Sequence, residues 1–571
     1  LSSVGLPSSR EAVASPRRAD VPVQRRDAAS LSWAKYAAMA VTVMIVFGFG
    51  LRLSGLGNVG FAEDEINKLE AVRAYDRGDF SVNAEHPMLM KVLMDLSLRG
   101  ARTLNSLAGS TINEEAALRF PNVLFGALTA IPLFLLTAAL FDRRTGLWAA
   151  AFWSFGVNAI TYNRIGKEDT LMVFFMLFAF YLFIRAKQTD TRKTKEVGRF
   201  QKLSAISFGL MLASKYFPHY FGLNMLFHHK THIRERAPDE PRFVTPTSFY
   251  ILIGVALLIA NPGLLLPSVW QHLNAYSAER LLQHTGYRMG DIVYRNRFSS
   301  APFWGLPNYF YLLFMAIKVP LSILVTFIIG LVVAARARKE PGPRFIWFMF
   351  VLWIVPYSLV GAMWLRYTLS LMPIVYMGAA VGTVTLERWL ASLMAKAKLS
   401  QMGASALATA VLLLLMVGVP AWTAYASSPH YALYSNLIGD RYTAHFFPHD
   451  EFYDDGVNQA IQFVCERAPQ NASIVSEVPG VVRYYTQKFG RSDLQSHVLS
   501  DPNYTPSADA PTYVILQTGR TYLENQQEMK QVKERFTLVY AGCIKGHTAA
   551  EVYASPSSSN VAVQPCGDAR P

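Results

Sequence analysis

Three consecutive acids, Glu63, Asp64 and Glu65, stand in the stretch VGFAEDEINKL (59–69), directly after the first long apolar run. Carboxylates at the edge of a membrane span are costly to desolvate, and ionisable groups placed there in multispanning chains usually mark a pathway or a site. Further along the same connector, AEHPMLMK (84–91) supplies Glu85, His86 and Lys91. Three later clusters also sit at the ends of apolar runs. YNRIGKEDT (162–170) carries Arg164, Lys167, Glu168 and Asp169, ASKYFPHY (213–220) carries Lys215 and His219, and MWLRYTLSLMP (363–373) carries Arg366 and Tyr367. Arg offers phosphate a bidentate fork and Lys a point charge. A carboxylate held partly desolvated can take a proton from a hydroxyl. Together these types suit group transfer from a phosphate anchored in lipid.

Each residue also has a plainer reading. Lys and Arg at helix ends snorkel to the headgroups, a single acid can cap an interfacial helix, and His219 reads as a packed interfacial histidine. The string HFFPHDEFYDDG (445–456) has a metal-like composition, but the better reading is that Asp454 or Asp455 caps the following helix. Positive-inside bias depletes basic residues on the outer face. Their repetition at outer helix ends therefore favours a shared site.

The elements that must position these residues follow from hydropathy. The 571 residues are 52% hydrophobic and 16% charged, against roughly 25% charged in a soluble domain. Beyond a first run at 32–53, apolar runs centre near 119–141, 147–162, 170–184, 203–215, 217–228, 246–262, 308–335, 344–363, 367–385 and 403–421. A helix of about twenty residues crosses a hydrocarbon core of about 30 Å, so the sequence predicts an all-α polytopic membrane protein of about eleven transmembrane helices. Residues 1–30 are Arg-, Ser- and Ala-rich without apolar period and read as a disordered cytoplasmic tail. The first run is too long for a signal-peptide core and has no small-x-small cleavage site, so a retained helix is expected.

The connectors DRRTG (142–146), RAKQTDTRKTKEVGR (185–199), HHKTHIRERAPDEPR (228–242) and ARARKEPGPR (335–344) are basic, as is 388–398. They are expected in the cytoplasm with the N-terminus, leaving 54–116, 263–307 and 422–571 outside. The net charge of +14 lies in these connectors, without a basic patch interleaved with aromatics, which excludes nucleic acid as a partner. No glycine-rich nucleotide loop occurs. The transmembrane part is expected over 31–421. Within 422–571, DDGVNQAIQFVCERA has a helical period and ASIVSEV, TYVILQT and FTLVYAGC read as short buried strands, predicting a small C-terminal α/β exoplasmic domain. In an oxidising compartment Cys465 could pair with Cys543, and Cys566, in a Ser/Pro-rich tail, is expected to have no structural role. None of the three has metal-ligand spacing.

The charged clusters resemble those of the GT-C glycosyltransferases, in particular the protein O-mannosyltransferase and aminoarabinose-transferase branch. Asp64-Glu65 matches its Asp-Glu pair, Gly78-Asp79-Phe80 its GD(F/W), and His86-Pro87-Met88-Leu89-Met90-Lys91 its HPPL…K stretch, with Met88 in place of the second proline. Arg164 and Asp169 match its Arg-x4-Asp, Gly209 and Lys215-Tyr216 its Gly…Lys-Tyr, and Arg366-Tyr367 with Pro373 its late Arg-Tyr…Pro. The resemblance runs in order from residue 33 to about 385. The loop 263–307 is too short for the β-trefoil of eukaryotic protein mannosyltransferases, pointing to a bacterial-type enzyme in the inner (plasma) membrane with its C-terminal domain periplasmic.

The resemblance implies the GT-C fold, a polyprenyl-phosphate-sugar donor and inverting transfer on the outer face. The acceptor would be a protein hydroxyl (Ser/Thr) or a glycolipid, and the sugar mannose or a related hexose. In that frame Asp64 is the candidate base, and Glu65 positions it or the acceptor. Lys215 and Arg366, beside Tyr367, meet the charge growing on the leaving phosphate. His86, Lys91 and Arg164 line the donor pocket, and Asp169 orients Arg164 or Lys91. No cofactor is required, although a divalent metal (Mg, Mn or Zn) between Asp64 and the phosphate is compatible. The alternative within the fold is a transferase that modifies lipid A or another cell-envelope glycan with a different sugar. A transporter or flippase would place charges in mid-helix and show two-fold hydropathy symmetry, and the sequence has neither.

Overall fold

The computed structural model describes residues 23–278, 285–297, 304–396, 400–506 and 510–556, together with residue 566. Of the tail expected over 1–30, residues 1–22 lie outside the described set, and helix α1 (Val23–Leu53) already begins within the remainder. The acid triplet opens α2 (Glu63–Tyr75), and the rest of that connector forms α3 (Met88–Ala108) and α4 (Glu114–Leu128). Acids suit the first turn of α2 because its unsatisfied N–H groups carry the positive end of the helix dipole. Glu65 also reaches back to accept from Ala62 N at 3.0 Å, satisfying one of those donors. In α4 the same task falls to Asn113, which accepts from Ala116 N.

Among the described residues four helices are long and apolar enough to cross a membrane: Ala34–Leu53 within α1, Glu114–Leu140, Asp169–Gln188 and Gln401–Ser427. Helices Leu321–Arg336 and Pro341–Tyr357 qualify only as a pair, with a 118° bend between them. Two expected continuous runs are broken. The run 147–162 divides at Gly156, and 308–335 divides into Phe310–Lys318 and Leu321–Arg336 at Val319-Pro320. Proline has no N–H for the helix ladder and disfavours helical geometry in the residue before it. The chain is an integral membrane protein.

The helix Asp169–Gln188 fixes the long axis of the bundle, since twenty residues rise about 30 Å. Its far end gathers the basic connectors. Gln188 Nε2 donates to Ala139 O at 2.7 Å, Arg234 Nη2 to Thr189 O at 3.1 Å and Arg344 Nη1 to Lys230 O at 3.4 Å. Arg144 pairs with Glu387 at the same level. The near end, at Asp169, faces the acid-bearing connector.

Helices Leu321–Arg336 and Met372–Lys396 approach closely through glycines. A Cβ on Gly330 would collide with Gly378 O, and one on Gly382 would collide with Thr326 O. Small residues permit this approach, on which dispersion contacts between membrane helices depend. Gly330→Val is therefore expected to destabilise the bundle by about 1–3 kcal/mol or more, because the backbone cannot move aside as a side chain can. Thermal unfolding in detergent would show it, and an unchanged melting temperature would mean that the helices separate freely.

After the short hairpin of β1 (Tyr287–Met289) and β2 (Ile292–Tyr294), the remaining strands build one mixed sheet. Its members are β3 (Ser473–Val475), β4 (Gln495–His497), β5 (Thr512–Gln517), β6 (Thr537–Ile544) and β7 (His547–Ala554), in the order β4-β3-β5-β7-β6. Strand β3 is parallel to β4 and β5, whereas β7 is antiparallel to β5 and β6. Central β5 is buried along its whole length. Helices Val457–Arg467 and Pro479–Lys488 share a hydrophobic core with α2, α3 and α4, in which Val457, Ile461 and Val481 pack with Ile66, Leu69 and Met94. The C-terminal part is thereby fixed over the acid-bearing helix.

Two expectations are corrected here. Cys543 is disulfide-bonded to Cys566, and Cys465 is buried and unbonded. Cys465 lies on the inner face of helix Val457–Arg467, whereas Cys543 lies on the outer strand β6. The residue preceding that helix is Gly456, and no side chain caps it. Asp454 instead pairs with Arg520, and Asp455 with His430.

Candidate active site

A cavity of about 900 Å³ opens between α2, the Asp169 end of the bundle and the C-terminal part. It brings together Asp64, His86, Asp169, Lys215, Arg366 and Tyr367. Lys215 ends the helix Thr194–Ser214, and its Nζ lies 2.5 Å from Asp169 Oδ1. The same ammonium stands 4.9 Å from the centre of the Tyr367 ring, which Arg366 approaches from its own position at 5.7 Å. Arg366, on the short helix Leu365–Ser370, then donates through Nη1 to Asp64 Oδ2 at 3.2 Å. A continuous path of contacts therefore runs from Lys215 through Tyr367 and Arg366 to Asp64.

Asp64 is 30% exposed to this cavity. Its Oδ2 also meets Lys167 Nζ at 2.8 Å and accepts from Tyr453 OH at 2.5 Å. Burial alone would raise its pKa, but Lys167, Arg366 and Lys68 outweigh that and hold the carboxyl well below the usual carboxylate range. Asp64 is consequently ionised at every physiological pH. Behind it, Lys68 Nζ lies 2.9 Å from Glu168 Oε1. Glu168 is buried and also faces His86 Nδ1 at 3.5 Å. Burial lowers His86 well below its ordinary value, so the imidazole is neutral.

Three residues named from the sequence do not line the cavity. Glu65 is buried, with Oε2 at 2.5 Å from Arg119 Nη2 and Oε1 accepting from Gly166 N at 2.7 Å. It ties α2 to the turn that carries Lys167. Lys91 donates to Asn83 O and His86 O at 2.7 and 2.9 Å, and burial pushes its ammonium down to about 7. Arg164 Nη1 donates to Arg52 O and Ser54 O at 2.6 and 2.7 Å and stacks over Tyr431, closing the end of α1. Asp169 orients Lys215 rather than Arg164 or Lys91. His219 is 3.2 Å from Tyr357 OH, an aromatic contact away from the carboxylate.

The sequence reading assigned no role to several residues that the fold places around Asp64. Lys68 follows it by one helical turn, a spacing that could have singled it out. Tyr453, His449, Arg520 and Tyr522 line the cavity from the C-terminal part, and no local pattern signals that. Arg520 pairs with Glu63 at 2.7 Å, and Asp454 accepts from Glu63 N at 2.9 Å.

Residues 102–265, under a third of the chain, match the family model described as dolichyl-phosphate-mannose-protein mannosyltransferase. The whole fold is similar to that of ArnT from Cupriavidus metallidurans in the apo state, with 13% identity, 92% of this chain and 99% of that chain covered, and a TM-score of 0.50. The chain has the GT-C fold. The fold is also similar to that of ArnT from the same organism bound to undecaprenyl phosphate (13% identity, 92% and 98% covered, TM-score 0.50). A third similar fold is the archaeal oligosaccharyltransferase AglB from Archaeoglobus fulgidus, in complex with an inhibitory peptide and a dolichol-phosphate (12% identity, 91% and 74% covered, TM-score 0.51). Comparison with curated protein sequences gives no match for this chain.

Proposed function

We propose that the transferase moves a sugar, mannose or a related hexose, from a polyprenyl-phosphate carrier to a Ser/Thr hydroxyl of a protein, with inversion and with Asp64 as general base. The observation that carries this reading is the path of contacts within one cavity, in which two cations flank a single tyrosine ring and one of them, Arg366, reaches the Asp64 carboxylate. Similar folds hold undecaprenyl phosphate and dolichol-phosphate, which supports a lipid phosphate as the group the cations receive.

In this mechanism Lys215 and Arg366 meet the leaving phosphate, and such preorganised charge is worth most in a site shielded from water. Nη1 of Arg366 holds Asp64, while other donors of its planar fork can face a phosphate oxygen. As the bond from C1 to the phosphate oxygen breaks, the sugar develops oxocarbenium character and the acceptor hydroxyl attacks the opposite face. Its proton passes to Asp64. Phosphate binding draws Arg366 toward a second anion, which makes the carboxylate more basic as the reaction needs it. His86, Lys91 and Arg164 act in this scheme through the walls they brace, with neutral His86 facing the cavity.

A divalent cation beside Asp64 does not fit these donors. The carboxylate oxygen is shared by Lys167 and Arg366, whose charge would repel a metal, and among the described residues no three His, Cys, Asp or Glu side chains converge on a metal position. The same proposal places the cavity on the exoplasmic side of a bacterial inner membrane, with the N-terminus cytoplasmic and about eleven crossings. The gathering of the basic connectors at the opposite end of the bundle supports that orientation.

The test has two parts. Mass spectrometry of lipid copurifying with the transferase is expected to find a polyprenyl phosphate or its sugar conjugate. Radiolabelled polyprenyl-phosphate mannose, supplied to membranes, is expected to label protein. Label appearing only in glycolipid would overturn the protein acceptor in favour of an envelope glycan, and no transfer at all would overturn the reaction.

A further inference from the structure

The segment from Phe447 to Gly456 reaches the carboxylate by a strained turn. Helix Pro448–Phe452 ends at Tyr453 with φ 45° and ψ 52°, and Asp454 follows with φ 64°. Two successive non-glycine residues in the left-handed region are strained and persist only where their surroundings hold them. Here the surroundings do so on both sides. Asp450 accepts from Tyr287 OH at 2.6 Å and from Leu365 N, next to Arg366, at 3.1 Å. Glu451 pairs with Lys318 at 2.5 Å, and Asp454 accepts from Gln517 Nε2 at 2.8 Å and from Arg520. The one side chain in the turn aimed at the proposed base is Tyr453.

Every hydrogen bond and ion pair that reaches the Asp64 carboxylate among the described residues ends on Oδ2, from Tyr453, Lys167 and Arg366. Oδ1 receives none, in a side chain open to the cavity. We propose that Tyr453 is a positioning residue for Asp64, locking Oδ2 so that Oδ1 is the atom that accepts the proton of the incoming hydroxyl. This rests on the reading of Asp64 as base. In the step, the bond between acceptor oxygen and C1 forms as the bond between C1 and phosphate oxygen breaks. The electron pair leaves with the lipid phosphate monoester and the proton ends on Oδ1. Tyr453 keeps its own proton, since burial and then the adjacent Asp64 charge raise the phenol well above its ordinary value.

The charged and titratable groups facing Asp64 are Glu63 and Lys68 from its own helix, His86 from the connector that follows it, Lys167 from the turn before helix Asp169–Gln188, Tyr276 from helix Pro267–Ser277 and Arg366 from the short helix Leu365–Ser370. Tyr453 comes from the C-terminal part, with the Asp454–Arg520 pair behind Glu63. Removing one donor from Oδ2 raises the carboxyl toward its ordinary value. With the protein in native membranes, saturating polyprenyl-phosphate mannose as donor and endogenous acceptors, Tyr453→Phe is expected to move the acid limb of kcat, which reports the donor-bound complex, upward by about one pH unit. Turnover should fall about tenfold with donor KM within about twofold, the size of effect one hydrogen bond to a charged group carries. Placing 3-fluorotyrosine at 453, a stronger donor of the same shape, is expected to move the limb the other way, which keeps the test open if the phenylalanine variant fails to fold. An acid limb unmoved by either change overturns the proposal. Asp64→Asn separates the two ideas. If that variant still transfers sugar, the base assignment itself fails, whereas an inactive Asp64→Asn with an unmoved Tyr453→Phe profile defeats only the role of Tyr453.

Discussion

Asp64→Asn is expected to lower turnover by about 10²–10⁴-fold, the range that a positioned general base contributes, while leaving lipid phosphate bound at least as tightly as in the parent. The two halves of this expectation come from the same contacts. An amide oxygen still accepts from Tyr453 and Lys167, so the cavity keeps its shape, but no group remains to take the acceptor's proton. The loss of one negative charge also frees Arg366 and Lys167 to face an anion, since both now spend part of their charge on Oδ2. Transfer of radiolabel from polyprenyl-phosphate mannose measures the first half, and binding of polyprenyl phosphate to purified protein measures the second. Unchanged turnover would remove Asp64 from the chemistry. Lost binding would mean that the substitution broke the cavity rather than the step.

Arg119→Met should cost about 3–5 kcal/mol of stability, the penalty for removing one partner of a buried ion pair. Arg119 is 5% exposed and Glu65 only 1%. The guanidinium gives Glu65 two hydrogen bonds, of 2.7 and 2.5 Å, and donates to the carbonyls of Leu56, Val59 and Gly60 at 3.0, 2.8 and 2.6 Å. Without it a carboxylate and three carbonyls lose their partners in a place closed to water. Because Glu65 also anchors Gly166, beside Lys167, activity should fall with stability. Adding Glu65→Leu to Arg119→Met removes the stranded charge and is expected to restore part of the loss, as coupled partners do. Thermal unfolding in detergent reads both variants. A single variant that melts with the parent, or a double variant no better than the single, would show that the pair does not hold the connector.

The clusters at 63–91, 164–169, 215 and 366–367 were legible because hydrocarbon makes charge rare, so each charged residue beside an apolar run stands out. Their convergence was not. Asp64 and Glu65 are neighbours of like chemistry, and nothing in their types says which one faces substrate. Successive residues on a helix point about 100° apart, so the fold turns one into the cavity and the other onto Arg119. Arg164 and Lys91 read as donor ligands by the same rule that found Lys215, but each spends its protons on backbone carbonyls of its own surroundings. Strands β4 and β7 escaped notice as well. Three residues of β4 carry little pattern, and β7 is set by its partners on both sides.

Hydropathy and local charge were enough to make this chain a bundle of apolar helices with acids and cations collected at one end, because the membrane acts as a solvent on every segment separately. Whether a given charged side chain meets substrate or braces a wall was decided in three dimensions. Tyr453 lies 389 residues from the carboxylate it bonds, and Arg520 is farther still from Glu63. Contacts of that span depend on the packing of the C-terminal helices against α2 through a shared apolar core, and no window of sequence contains both sides of it.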